Sequence, residues 1–168
     1  DISALYDNDL KLQSIDLSKN DVSDISGIAS YLPELQILNV NECELAGEID
    51  LGENANLQSI NISSNYISKI SGNFSNLEII NCTQNVIYDI NQFLVFPNLK
   101  ELRLSGNKTL KNIEGVSKLN NLELLSIEKT GIENINELKN IKKLNSIYID
   151  RDVDRDQINF IIDNFKTG

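Results

Sequence analysis

A nine-residue motif with fixed apolar positions occurs seven times in this chain. It reads L-x-x-L-x-L-x-x-N, with Ile, Val or Cys at some of the later apolar positions and Cys, Thr or Asp at some copies of position 9. Successive copies start 23, 22, 20, 22, 23 and 22 residues apart. They start at Leu12, Leu35, Leu57, Leu77, Leu99, Leu122 and Leu144. A register-matched repeat of this length indicates a solenoid, in which each repeat packs only against its neighbours.

The alternation of residue types within the motif predicts a short strand. In the first copy, apolar Ile15 and Leu17 at positions 4 and 6 flank polar Asp16 at position 5. A strand with one buried face requires this alternation. Because one copy cannot bury that face alone, stacked copies are expected to pair into a parallel sheet with a shared core behind it. Apolar residues at turn-like spacing, as in 22–32 and 132–141, are expected to form the opposite, convex side.

The motif and its spacing resemble the leucine-rich-repeat family, in particular the repeats of about 22 residues in bacterial internalins and in a eukaryotic protein-phosphatase regulator. The resemblance covers nearly the whole chain. It implies an α/β fold, a right-handed leucine-rich-repeat solenoid with a curved parallel sheet on the concave face and turns, 3-10 segments and short helices on the convex face. It also implies a non-catalytic scaffold that binds a protein partner on the concave face.

Two parts of the convex side are expected to differ in conformation. Residues 45–52 alternate apolar and polar residues, and the repeat that follows is only 20 residues long. This pattern predicts an extended convex side in that region. Residues 113–119 instead predict a short helical or 3-10 turn.

The two ends of the chain give different expectations. Residues 153–168 carry a largely apolar stripe at helical spacing and are predicted to form a capping helix that covers the last repeat. Residues 1–5 match the convex half of a repeat whose strand does not precede them. We therefore expect residues 1–168 to form a single domain that belongs to a longer protein.

Position 9 of the motif follows the strand and is expected to turn inward. There a side-chain amide can satisfy backbone groups that the bend leaves unpaired. We call the stacked position 9 residues the ladder. The ladder residues are Asn20, Cys43, Asn65, Asn85, Asn107, Thr130 and Asp152.

The concave face is the candidate binding surface, because its side chains stand in parallel rows on a rigid support. An ordinary solvated sheet face, whose exposed Ile residues reflect strand preference alone, is the alternative. Arg103 and Tyr148 are the expected anchors, since Arg and Tyr dominate interface energetics. The predicted binding residues are Ile37, Asn39, Asn61, Ile79, Asn81, Arg103, Leu124, Ser126 and Tyr148.

Charge and composition weigh against several functions. The formal net charge of -10 disfavours nucleic acid, whose binding requires clustered Lys and Arg. The chain contains no His, which removes the usual general base and the commonest metal ligand. We expect a monomer without enzymatic activity, cofactor or direct membrane insertion. The expected location is extracellular or on a bacterial cell surface, and the alternative is a cytoplasmic regulatory subunit of the phosphatase-regulator type.

The remaining candidate sites have simpler explanations. Cys43 and Cys82 lie nearly two repeats apart and are expected to be buried free thiols rather than a disulfide. Acidic residues alternate as at the start of an EF-hand loop, but the required Gly and final Glu are missing, so no metal site is predicted. These residues are Asp150, Asp152, Asp154 and Asp156. Glycosylation sequons occur at Asn61, Asn73, Asn81 and Asn107 at about the frequency expected by chance.

Overall fold

The structure, a computed structural model, describes residues 2–6, 10–150, 156, 159–161 and 163. Seven strands of three residues form one parallel sheet in the order β1-β2-β4-β6-β7-β8-β9, and β3 pairs with β5 in a second sheet. The strands are β1 (Ser14–Asp16), β2 (Ile37–Asn39), β3 (Ala46–Glu53), β4 (Ser59–Asn61), β5 (Tyr66–Asn73), β6 (Ile79–Asn81), β7 (Glu101–Arg103), β8 (Leu124–Ser126) and β9 (Ser146–Tyr148). The predicted solenoid is confirmed.

The large sheet keeps the register of the sequence motif in every pair of strands. Position 4 always lies opposite position 4, as Leu38 does opposite Ile60. In β2, β4, β6, β7 and β8 this position is completely buried, whereas Ile15 and Ile147 at the two ends of the sheet are partly exposed. The core is therefore one continuous layer to which each repeat adds its apolar residues at positions 1, 4 and 6.

The convex side is extended in the middle of the chain and helical or 3-10 elsewhere. β3 and β5 pair in parallel, which confirms the extended conformation expected for 45–52. The α-helix α1 (Ile28–Tyr31) precedes them. The expected turn at 113–119 contains one of the 3-10 segments. These segments are Ser3–Leu5, Ile90–Val95, Val116–Lys118 and Asn136–Asn140.

Gln92 joins the extended part of the convex side to the 3-10 part. Its Oε1 accepts a hydrogen bond from the Ile70 N–H at 2.8 Å. Its Nε2 donates to the Asp89 carbonyl at 2.8 Å, within its own turn. If a further strand paired with β5, one of its carbonyls would accept from the Ile70 N–H. The Gln92 side chain supplies that acceptor instead. The next repeat can therefore change from extended to 3-10 conformation while the Ile70 N–H keeps a partner.

A second series of asparagines stabilises the outer turns. Each of these residues directly precedes the first Leu of a motif, and its Nδ2 donates to a carbonyl in the preceding repeat. The four bonds measure 2.7–3.0 Å and run from Asn56 to Pro33, Asn76 to Ala55, Asn98 to Ser75 and Asn121 to Pro97. The sequence shows the recurring Asn-Leu pair, but its partner becomes visible only when the repeats are stacked.

The predicted capping helix at 153–168 lies largely outside the described residues. Within that segment, residues 156, 159–161 and 163 are helical. Phe160 and Ile161 are partly buried against the core. The described part therefore has the helical conformation and the apolar contact that the sequence pattern predicts.

Candidate functional site

All nine predicted binding residues lie on the concave face of the large sheet. Ile37, Ile79 and Leu124 belong to the row formed by position 3 of the motif. The other six belong to the row of position 5, which begins with Asp16, and strand pairing joins them as direct neighbours. In order along the sheet these six are Asn39, Asn61, Asn81, Arg103, Ser126 and Tyr148. Neighbouring residues of a row are spaced at about 4.8 Å by the strands that carry them.

The asparagines of this row have a structural role that was not predicted from the sequence. The Oδ1 of Asn61 accepts from the Ser63 N–H at 3.1 Å, and the Oδ1 of Asn81 accepts from the Thr83 N–H at 3.1 Å. Asn39 makes the same bond to Asn41 at 3.2 Å. These Asx turns close the end of each strand, so the amide oxygens are already committed. The recurrence of Asn at position 5 with a small polar residue at position 7 was the available signal.

Asp16 makes the equivalent turn in the first repeat. Its Oδ1 accepts from the Ser18 N–H at 2.8 Å. The Ser18 hydroxyl and the Ser18 backbone N–H hold the pKa of the Asp16 carboxyl below its ordinary value. The N-terminal part of the position 5 row therefore consists of turn-closing side chains, one charged and three neutral.

The C-terminal half of the face carries charged groups that pair with one another. The Arg103 guanidinium donates to Glu101 at 2.9 Å, and the Lys100 ammonium donates to Glu78 at 2.8 Å. The bond to Glu78 raises the pKa of Lys100 above its ordinary value. Both pairs are half-exposed. Their net contribution to stability is small because water screens them, but each holds a long side chain in a defined orientation.

Ser126 separates the two expected anchors. It is buried and its hydroxyl shares a hydrogen bond with that of Ser105. Arg103 and Tyr148 lie on either side of it, about 10 Å apart at normal strand spacing. Tyr148 is 49% exposed. The partly buried Leu124 lies on the neighbouring row.

The ladder supports this face from behind. The Oδ1 of Asn65 accepts from the N–H groups of Cys43 and Leu45, both at 3.0 Å. Its Nδ2 donates at 2.9 Å to the carbonyls of Val40 and Ile62. Asn85 and Asn107 repeat the pattern one and two repeats later. Each amide thus joins the bend of one repeat to that of the repeat before it.

The other ladder positions differ in burial and bonding. Cys43 is buried, and its thiol donates to the Leu17 carbonyl at 3.2 Å. The Thr130 hydroxyl donates to Ile127 at 2.8 Å. Asn20 is exposed rather than turned into the core, although its Nδ2 bonds the Leu17 carbonyl at 3.0 Å. Asp152 lies outside the described residues.

Cys43 and Cys82 are both buried free thiols. Burial raises the pKa of the Cys82 thiol far above its ordinary value, so the reactive thiolate is scarce.

We expect an aromatic disulfide reagent at pH 8 to label the native protein at least about 100-fold more slowly than the denatured protein, because labelling requires local opening. Rapid labelling of either thiol in the native state, followed by absorbance, would contradict the described burial.

The acidic segment near the C-terminus is only partly described. Both carboxylate oxygens of Asp150 accept from the Lys129 N–H, at 2.9 and 2.8 Å, and Asp156 is exposed. Asp152 and Asp154 lie outside the described residues. Within the described ranges, no group of three or more His, Cys, Asp or Glu side chains is arranged to hold a metal ion.

None of the helices in the described ranges is long and apolar enough to span a membrane.

Two sequence matches connect part of this chain to leucine-rich-repeat proteins. The sequence model of the Leucine Rich Repeat family matches residues 56–77. The Leucine-rich repeat and WD repeat-containing protein 1 of Mus musculus is 34% identical over 85 residues, which is 47% of this chain and 13% of that protein. The chain therefore corresponds to a small part of this curated relative.

Solved structures with the same architecture include the TLR13–ssRNA13 complex, with a TM-score of 0.68 and 25% identity over 83% of this chain and 22% of that chain. Internalin C2 from Listeria monocytogenes has a TM-score of 0.57 and 17% identity over 82% of this chain and 51% of that chain. The leucine-rich repeat domain of APL1B has a TM-score of 0.58 at 20% identity. Seven copies of the motif, a seven-stranded parallel sheet in motif register and these matches together show that the chain has the leucine-rich-repeat fold, and residues 56–77 match the sequence model of that family.

Proposed function

We propose that this chain is a non-catalytic scaffold that binds a protein partner on its concave face. The observation that supports this proposal is the row at position 5, where Arg103 and the exposed Tyr148 lie on either side of the small, buried Ser126. Arg103 is already oriented by Glu101, so little side-chain entropy is lost when it binds. Arg and Tyr are among the residues that most often anchor protein interfaces.

The rest of the predicted surface extends this anchor region. Ile37 is 48% exposed, and Ile79 lies two strands away in the same row and is half-buried. The Oδ1 atoms of Asn61 and Asn81 accept the turn-closing hydrogen bonds, so the Nδ2 groups of these two amides are the ones that can donate to a partner. We expect the N-terminal part of the face to contribute polar complementarity and the part from β7 to β9 to contribute most of the affinity.

Binding of RNA has weaker support, although one structural relative is solved as a complex with RNA. The concave cations Lys100 and Arg103 are each paired with a carboxylate, and the chain as a whole has a net charge of -10. Phosphate binding requires clustered, available cations. The charge distribution therefore favours a protein partner.

We propose a location on the surface of a bacterium or in its secretions, which the resemblance of the repeat to that of bacterial internalins implies. The second candidate is a cytoplasmic regulatory subunit of the phosphatase-regulator type, which the resemblance of the repeat to that group implies. A secretory leader or a wall anchor encoded in the same gene would support the first location. Retention of a tagged full-length protein in the cytosol would support the second.

The concave assignment is tested with the double variant Arg103→Ala and Tyr148→Ala. A partner captured from lysate by the immobilised chain and identified by mass spectrometry is expected to bind this variant at least about 30-fold more weakly, because two central anchors are lost. The melting temperature is expected to stay within about 2 °C, because both substitutions are on the surface. Binding is measured with the purified partner by calorimetry.

The matched control is the convex double variant Val95→Ala and Lys118→Ala. Both residues are exposed on the opposite side of the solenoid, and binding is expected to be unchanged. Loss of binding in the convex variant together with normal binding of the concave variant would show that the concave assignment is wrong.

A further inference from the structure

The flank of the solenoid, where the chain leaves the concave sheet, carries an exposed row that the proposed function does not use. It consists of the residues that directly follow the ladder in successive repeats. Hydrogen bonds between repeats hold these segments side by side, including Tyr66 N–H to Leu45 at 2.7 Å and Val86 N–H to Ile67 at 3.0 Å. We call this the flank row. Its members are Asp21, Glu44, Tyr66, Val86, Lys108 and Gly131.

The middle of the flank row is an aromatic and apolar patch. Tyr66 is 64% exposed and Val86 is 39% exposed. Tyr88, two residues after Val86, is 54% exposed and widens the patch. Three of the seven large hydrophobic residues identified as exposed in the described chain therefore lie in two adjacent repeats. Clustered exposed aromatic residues on a polar protein are a mark of interaction surfaces.

The two ends of the flank row carry opposite charges. Asp21 and Glu44 lie on one side of the apolar patch, and Lys108 lies on the other, all exposed. Lys111 extends the basic end, because its Nζ lies within 2.5 Å of the place that a Cβ on Gly131 would occupy. The row therefore runs from acidic through apolar to basic over about 24 Å, which is five strand spacings.

This order makes the flank row complementary to itself. A twofold axis that passes between Tyr66 and Val86, perpendicular to the row, would place the apolar centre of one chain on that of a second chain. It would place Glu44 opposite Lys108 of the second copy, and Asp21 opposite the basic end around Gly131. A twofold interface requires one patch that is complementary to itself, and few exposed surfaces satisfy this requirement in both polarity and charge.

We propose that the flank row mediates a twofold-symmetric association of two copies of this chain. The concave face remains open in such a dimer, so the two copies present two binding faces. The sequence alone leads to the expectation of a monomer. The acidic, apolar and basic order along the flank row, which appears only when the repeats are stacked, favours a dimer instead. A strip of this size buries less surface than the approximately 1,200 Å² of a stable complex, so the dimer is weak and is favoured at high local concentration.

The association is measured by sedimentation equilibrium of the purified chain from about 10 µM to about 1 mM in about 0.15 M salt, where long-range repulsion is screened. The average mass is expected to rise with concentration from 18.9 kDa toward that of a dimer. The variant Tyr66→Ser with Tyr88→Ser is expected to weaken association at least tenfold. A chain that stays monomeric at the highest concentration, or an unchanged tyrosine variant, would overturn the proposal.

Charge reversal separates local pairing from overall repulsion. Glu44→Lys makes the net charge less negative and Lys108→Glu makes it more negative. If general repulsion alone controlled association, the first variant would associate more strongly than the unaltered chain and the second more weakly. The proposed interface instead predicts that each variant alone associates at least tenfold more weakly. An equimolar mixture of the two is expected to recover association, since both contacts of the mixed dimer then join opposite charges.

The controls for charge reversal are Glu114→Lys and Lys118→Glu, which change the same charges on the exposed convex side. Both are expected to associate as the unaltered chain does, and circular dichroism is expected to show the same folded spectrum for every variant. A mixture of the Glu44 and Lys108 variants that associates no better than either variant alone would overturn the twofold arrangement.

Discussion

Phe96→Ala is expected to lower the free energy of unfolding by about 3 to 5 kcal/mol. Phe96 is completely buried on the convex side and stacks on Phe74 of the preceding repeat, with ring centroids 5.8 Å apart. Phe93, also fully buried, lies in the 3-10 segment Ile90–Val95 that directly precedes Phe96. Removal of one ring leaves a cavity between two repeats, where the backbone is held by hydrogen bonds on both sides. Urea denaturation followed by circular dichroism measures the change.

The adjacent residue provides a matched control. Val95 is 65% exposed, so Val95→Ala is expected to change stability by less than about 0.5 kcal/mol. Phe96→Leu keeps much of the buried surface and is expected to cost less than Phe96→Ala. If Phe96→Ala and Val95→Ala had similar effects, the aromatic layer would not be a main contact between the third and fourth repeats.

Asn85→Ala is expected to lower the free energy of unfolding by about 1 to 3 kcal/mol, because buried backbone groups lose their partners. The Oδ1 of Asn85 accepts from the Ile67 N–H at 2.9 Å. Its Nδ2 donates to the carbonyls of Ile62 at 2.9 Å and Cys82 at 3.2 Å. These groups belong to two different repeats, so the substitution weakens the contact between them as well as the bend. Chemical denaturation is the measurement.

Asn20→Ala is the control for this ladder prediction. Asn20 occupies the same motif position and bonds nearby carbonyls, but its side chain is exposed and water can replace those bonds. Its substitution is expected to cost less than about 0.5 kcal/mol. Asn85→Asp keeps the shape and removes the Nδ2 donors, so it is expected to be at least as destabilising as Asn85→Ala because a charge is then buried. A stable Asn85→Ala protein would show that the ladder amides contribute little.

The stability of the ladder bears directly on the proposed binding face. Asn107 is completely buried directly behind β6 and β7, and its Nδ2 donates to Cys82 and Leu104 at the ends of these strands. Arg103 is the last residue of β7, directly before Leu104, and pairs with Asn81 of β6. The orientation of the anchor residues therefore depends on amides that never contact a partner. Separate measurement of stability and binding is needed to interpret any variant in this region.

Much of the fold could be predicted from local sequence, because each repeat carries its own pattern. Apolar positions 1, 4 and 6 predicted the buried side of each strand, and the short repeat predicted the extended pair β3 and β5. Register followed as well, since the motif aligns each strand with the next. The predicted position of Tyr148 beside Ser126 is an example of what this alignment provides.

What the sequence alone did not reveal are the contacts between residues about 20 positions apart. The acceptor for Asn98 in the preceding turn and the role of Gln92 at the edge of β5 both depend on how neighbouring repeats stack. The flank row of Glu44, Tyr66 and Lys108 is likewise unremarkable in sequence and becomes a polarised surface only in the solenoid. The sequence by itself determined the repeating unit, because burial within a strand is a local pattern. The tertiary structure decided which polar groups are satisfied and which surfaces remain open, because those depend on the roughly 4.8 Å spacing that stacking imposes on distant residues.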